Sequence, residues 1–228
     1  MLGIIGAMDV EVNSIKNNVK NKITTVFANI EFVLGEIEEK SVCVAQCSPG
    51  KVNAALCTQL MIDKFDVDRI INIGVGCSLD ENVVIRDIVV ADKLCQYDID
   101  VTALGEEKGL INGINVVKIA SSPSLSEELE KSALNCGYNV HIGTIASGDT
   151  FIGSSRLKKS INKDFGAICG EMEGGAIAQV CYINSIPFAV LRTVSDGGDE
   201  SSHMDYPEFK KVAAKQSCEI ILSYLKNN

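Results

Sequence analysis

Tryptophan is absent from the sequence. Arginine and histidine are nearly so, with four Arg (Arg69, Arg86, Arg156, Arg192) and two His (His141, His203). A nucleic-acid footprint needs a basic face. A net charge of −9 excludes one and equally argues against an anionic membrane surface. No apolar run reaches the ~18 residues of a membrane-spanning helix, and the opening "MLGIIGAMDVEV" is too short and too acidic for a signal peptide. No CxxC pair occurs among the nine cysteines. With two histidines in the chain, neither a zinc site nor a Cys–His nucleophile has its partners. The odd cysteine count, with Cys43, Cys47, Cys169 and Cys181 in apolar runs, predicts reduced thiols packed as small hydrophobes. A reducing, cytoplasmic location follows as an expectation. There is no P-loop, since "SPGKVN" offers only a Gly-Lys, and no GxSxG elbow. "GVGCSL" (74–79) lacks the third glycine of a dinucleotide-binding turn and leads into "DENVVI" instead of a helix.

What is present alternates between strands and helices. "LGIIGA" (2–7), "SVCVAQC" (41–47), "RIINIGV" (69–75), "DIVVAD" (87–92), "NVHIGTIASGD" (139–149) and "FAVLRTVSD" (188–196) read as strands. "TTVFANIEFVLGEI" (24–37) reads as two strands with a turn near Ala28-Asn29. Residues 8–19, 50–65, 122–137 and 206–226 read as helices, the third with a Ser/Pro start and a Gly stop. With 46% hydrophobic residues the chain can build one sizeable core, and one α/β domain over 1–228 is the expectation. Residues 97–115 carry little periodicity and are predicted to form a functional or interface loop.

In open α/β sheets, ligands gather beyond the carboxyl ends of the strands. Acidic turns collect at such ends here: Asp9 and Glu11, Ser147–Asp149, Glu171 and Glu173, Ser195–Asp196. Each alone can be a turn former or a helix N-cap. Together they suit a glycosidic bond, whose cleavage passes through a cationic, oxocarbenium-like state and needs one carboxylate as base and another as acid. Glu11, Asp196 and Glu173 can fill these roles if the strand ends converge.

Six segments carry a resemblance: "IIGAMDVEV" (4–12), "PGKVNAA" (49–55), "DIDVTALG" (98–105), "SGDTFI" (147–152), "EMEGGAIAQVC" (171–181) and "RTVSD" (192–196). In order and along nearly the whole chain, they are similar to the 5′-methylthioadenosine/S-adenosylhomocysteine nucleosidases of the nucleoside phosphorylase superfamily. The resemblance implies a three-layer α/β sandwich around a central mixed sheet flanked by helices. It also implies a homodimer, hydrolysis of a 5′-substituted adenosine to adenine and the substituted ribose, and no metal or cofactor. It makes Glu11 the residue that activates water and Asp196 the acid that protonates adenine N7, oriented by Ser195. Glu173 binds the ribose hydroxyls, Met172 packs on the sugar, and Phe151 stacks on adenine with the Ile152 backbone at its edge. Met8, Val75 and Arg192 complete the residues it places against the substrate. Glu171 has no implied chemistry and is expected to cap the following helix.

Three departures stand out. "NIGVGCSL" (72–79) puts Val75 where a polar residue is usual; residues 103–115 put Leu104 and Glu106 where aromatics are common; Pro49 replaces an aliphatic residue. They predict retained catalysis with an altered preference for the 5′-substituent. A phosphorylase on the same fold is the nearest alternative. It needs cationic contacts for phosphate, whereas the first strand leads into Asp9 and Glu11. A non-catalytic nucleoside-binding protein is the other.

Overall fold

The computed structural model describes residues 1–228. Strands rich in Ile and Val are buried on both faces, as parallel strands must be. They are β1 (Leu2–Gly6), β4 (Lys40–Gln46), β5 (Arg69–Ser78), β6 (Ile88–Gln96) and β10 (Phe188–Asp196). With β2 (Lys20–Phe27), β3 (Ile30–Ile37), β7 (Lys118–Ala120), β8 (Val140–Ser147) and β9 (Ala167–Glu171) they form one mixed sheet in the order β10-β6-β8-β9-β5-β1-β4-β3-β2, with β7 on β6. The order does not end at β10, which also pairs in parallel with β5. Five strands therefore close into a ring, and β1, β4, β3 and β2 extend from it as an open wing. Bulges in β10, β6 and β9 supply the bending that closure needs.

Helices α2 (Lys51–Phe65) and α5 (Gly174–Asn184) cover one face of the sheet. Cys57, Met61, Ile177 and Cys181 pack there on Cys43, Ala45 and Val190. On the other face lie α1 (Asp9–Asn18), α3 (Pro123–Asn135) and α6 (Ser202–Asn227), through Val12, Ile15, Leu129, Ile220 and Ile221. The three layers match the sequence expectation. All nine cysteines are unpaired and eight are buried. No helix is long and apolar enough to cross a membrane.

Several boundaries differ from the sequence reading. Helix α4 (Ser155–Phe165) and β7 have no strong sequence signal; α4 buries only Ile161 and Phe165 behind a run of lysines. Helix α6 starts at Ser202, a turn before Tyr206, and holds Pro207 inside its first two turns. Residues 97–115 contain only a 3-10 turn (Thr102–Leu104) and an isolated bridge between Ile111 and Val116.

Candidate active site

The carboxyl ends of β1, β5, β9 and β10 converge on one cleft. Its wall includes Met8, Glu11, Pro49, Val75, Cys77, Phe151, Ile152, Glu171, Met172, Glu173, Ser195, Asp196 and Tyr206. Lys and Arg are missing from the lining.

Glu11 lies in the first turn of α1, directly after β1. Its Oε2 accepts from the backbone N–H of Ala7 (2.7 Å) and Met8 (2.8 Å), and its Oε1 from Val75 N–H (3.1 Å). It therefore caps the helix and also faces the cleft. Burial raises its pKa, opposed by these backbone donors and by the Arg192 charge. A Cβ on Gly74 would come within 2.8 Å of Glu11 Oε1, so only glycine leaves the carboxylate its seat.

Glu171 and Glu173 face different ways. Glu171 Oε2 accepts from the N–H of Glu173 (3.0 Å) and Gly174 (2.7 Å), which makes it the cap of α5. It also pairs with Arg192 and accepts from the Ser147 hydroxyl. Glu173 accepts from Gly50 N–H (2.9 Å) and lies 3.7 Å from Arg192. Burial, with Glu171 beside it, raises the Glu173 pKa, and Arg192 opposes the rise.

Asp196 ends β10 and is 2% exposed. Its Oδ2 accepts from Ser195 Oγ (2.9 Å) and its Oδ1 from Gly198 N–H (3.1 Å). Burial raises its pKa against these hydrogen bonds. A raised carboxyl is what proton donation near neutral pH requires.

Of the residues singled out in the sequence, Glu11, Asp196, Met8, Val75, Phe151, Ile152, Met172, Glu173 and Ser195 all line the cleft. Arg192 lies outside this lining. It is 1% exposed and lies beneath the floor. Its guanidinium is engaged by Glu171, by Asn72 Oδ1 (2.6 Å) and by Leu191 O (3.1 Å). Burial would lower its pKa, but Glu171, Glu173 and Glu11 outweigh it. Asp9 and Asp149 also fall outside the cleft: Asp9 bonds Val10 N–H, and Asp149 holds Lys51 N–H. His203 bonds Glu200 O in the first turn of α6, consistent with a helix-start role.

The whole chain can now be set beside known proteins. The model of the phosphorylase superfamily matches residues 1–226. A 5′-methylthioadenosine/S-adenosylhomocysteine nucleosidase of Staphylococcus aureus is 38% identical over 222 residues, 97% of each chain. The chain belongs to this nucleosidase family. The Neisseria meningitidis nucleosidase, solved with methylthio-immucillin-A, superposes with a TM-score of 0.96 at 33% identity, covering 100% of this chain and 99% of the other. A futalosine hydrolase of Helicobacter pylori reaches 0.95 at 32% identity, covering 100% and 97%. The shared fold thus hosts hydrolases with different names.

Within this nucleosidase, Tyr206 and Thr150 are among the wall residues that the sequence reading does not single out. Tyr206, from α6, stands edge-on to Phe151 (centroids 5.6 Å apart) and its hydroxyl donates to Met8 Sδ (3.0 Å). Thr150 precedes Phe151 in the wall. Tyr206 carries no local signal, because only the packing of α6 brings it over Met8. Two of the departures, Val75 and Pro49, reach the cleft, and residues 103–115 do not reach it in the same chain.

Proposed function

We propose that the chain hydrolyses the N-glycosidic bond of 5′-methylthioadenosine, S-adenosylhomocysteine and/or 5′-deoxyadenosine, releasing adenine and the 5′-substituted ribose. The observation that carries this reading is a cleft whose floor bears the carboxylates Glu11, Glu171, Glu173 and Asp196 and whose lining has no cation. Such a floor favours a cationic sugar in the transition state and a neutral nucleophile. It disfavours phosphate, which needs Arg forks or free helix N–H groups. The N-terminus of α5 has none to spare, since the N–H groups of residues 173–175 are taken by Glu171 and Ser147.

Glu11 takes a proton from water as the water oxygen bonds C1′. The C1′–N9 bond breaks, and Asp196 delivers a proton to the purine at N7. Ser195 orients Asp196, and Glu173 holds the ribose hydroxyls with both oxygens. Met8, Val75, Phe151, Ile152 and Met172 form the walls around base and sugar. The reaction needs neither metal nor cofactor. Residues 1–228 act as one nucleosidase domain, working as a homodimer in the cytoplasm within methionine salvage, with loop 97–115 closing the partner's tail pocket.

The test is adenine release from the three nucleosides in phosphate-free buffer and then with phosphate. Release independent of phosphate is the expected result. Release only with phosphate, giving ribose 1-phosphate, makes the chain a phosphorylase and removes Glu11 from its role. Tight binding of adenine without turnover makes it a binding protein.

A further inference from the structure

Beneath the cleft floor, Glu171 is tied into a buried polar assembly whose other side chains, Ser147 and Arg192, lie outside the lining. Ser147, at the end of β8, is fully buried. Its hydroxyl donates to Glu171 Oε1 and accepts from Gly175 N–H (2.6 Å). Glu171 Oε2 in turn holds Glu173 N–H and Gly174 N–H. Three successive N–H groups that open α5 are thus gripped by two side chains, and the first of them belongs to Glu173. A Cβ on Gly175 would lie 2.9 Å from Ser147 Oγ, so the Gly174–Gly175 pair lets the helix sit directly on this hydroxyl. Glu171 has two restraints besides its backbone bonds, Ser147 on one oxygen and Arg192 on the other.

We infer that Ser147 is a positioning residue for sugar recognition: through Glu171 it fixes the backbone from which Glu173 reaches the ribose hydroxyls. This deepens the nucleosidase reading and rests on it. Without the hydroxyl, Glu171 Oε1 and Gly175 N–H lose their partner in a site that water does not reach, and the start of α5 is free to shift. A misplacement of a fraction of an ångström at a clamp is felt in the rate.

The test compares kcat/KM for 5′-methylthioadenosine and its 3′-deoxy counterpart in the native protein and in Ser147→Ala. Loss of the hydroxyl is expected to lower kcat/KM for the ribonucleoside by about tenfold, the scale of one hydrogen bond. The 3′-deoxy compound lacks a hydroxyl that Glu173 holds, so its value changes little. The preference for the ribonucleoside therefore falls by roughly fivefold or more. General loosening of the fold would lower both substrates alike, so an unchanged preference overturns the inference. Ser147→Cys keeps the volume closely and offers a weaker donor. It is expected to fall between the two, and it carries the same measurement if the alanine variant does not fold. If the native protein shows no preference for the ribonucleoside, the clamp role of Glu173 fails and this inference with it; a native preference that Ser147→Ala leaves intact removes the inference alone.

Discussion

The floor and the rim of the cleft are built on different terms. On the floor, Glu11, Glu171, Glu173 and Asp196 are all buried, and each accepts at least one backbone N–H. At the rim, Pro49, Thr150 and Phe151 are exposed, and Met8 and Tyr206 are half-buried. Tyr206 reaches Met8 only through a sulfur, a weak acceptor. Groups that carry charge in a dry place must be held from several sides, because an unpartnered one costs too much. Groups that touch a variable substituent need only shape. The floor is thus the part of the site that tolerates least change, and the rim is where specificity can drift.

Removing the cation under the floor tests that contrast most severely. Arg192→Met strands Glu171 in the interior, and breaking a buried pair costs about 3–5 kcal/mol. Chemical denaturation is expected to show a loss of that size. A loss below about 1 kcal/mol, the scale of an exposed pair, would mean that the floor is wetter than its burial implies.

The reacting carboxylates come next. Asp196→Asn and Glu11→Gln keep the volume and can still accept from Gly198 and from Ala7 and Met8. Each is expected to fold and to lose at least about a hundredfold in turnover, the usual range for a general acid or base. Near-native adenine release from either variant takes that residue out of the mechanism.

These floor residues were legible because their signals are local. A glutamate three residues into a helix, or an aspartate closing a strand, announces both its element and its end of the sheet. The alternation of strands and helices fixed the layers for the same reason. Sequence does not say which side of a strand end faces the cleft: β10 sends Asp196 to the cleft lining and Arg192 beneath the floor. Closure of the ring was also invisible, since it depends on β10 pairing with both β5 and β6. Tyr206 depends on a long-range contact made by the last helix. Helix α4 was missed because a short amphipathic stretch with two buried residues resembles a solvated loop.

A smaller effect separates the two carboxylates of the Glu-Met-Glu segment. Burial and the neighbouring Glu171 raise the Glu173 pKa above its unfolded value. The native state then holds a proton that the unfolded chain has lost, so this group's contribution to stability is full below the unfolded pKa and declines as pH rises towards the folded one. Glu173→Gln removes that decline and keeps an acceptor for Gly50 N–H. The stability difference, variant minus native, is expected to move in the variant's favour from about pH 4, the unfolded value, upward to the raised value. Denaturation series at several pH values measure it. A difference that is flat with pH would show that Glu173 titrates as an ordinary, solvated carboxylate and belongs with the rim.

The rim itself is predicted to give the least. Pro49→Ile restores an aliphatic side chain at the cleft mouth, and Tyr206→Phe deletes a hydroxyl whose sole acceptor is Met8 Sδ. The ring of Tyr206 keeps its edge-on contact with Phe151, so the wall is retained. One methylene in an apolar pocket is worth about 1–3 kcal/mol between competing substrates, and a bond to thioether sulfur less. Pro49→Ile is therefore expected to reorder the kcat/KM values of methylthio, homocysteine and 5′-deoxy substrates by roughly tenfold, and Tyr206→Phe by a few-fold. Release should remain independent of phosphate in both, because neither change touches Glu11 or Asp196. A hundredfold fall for all three substrates alike would show that the rim takes part in the chemistry, and the division between a fixed floor and a permissive edge would have to be withdrawn.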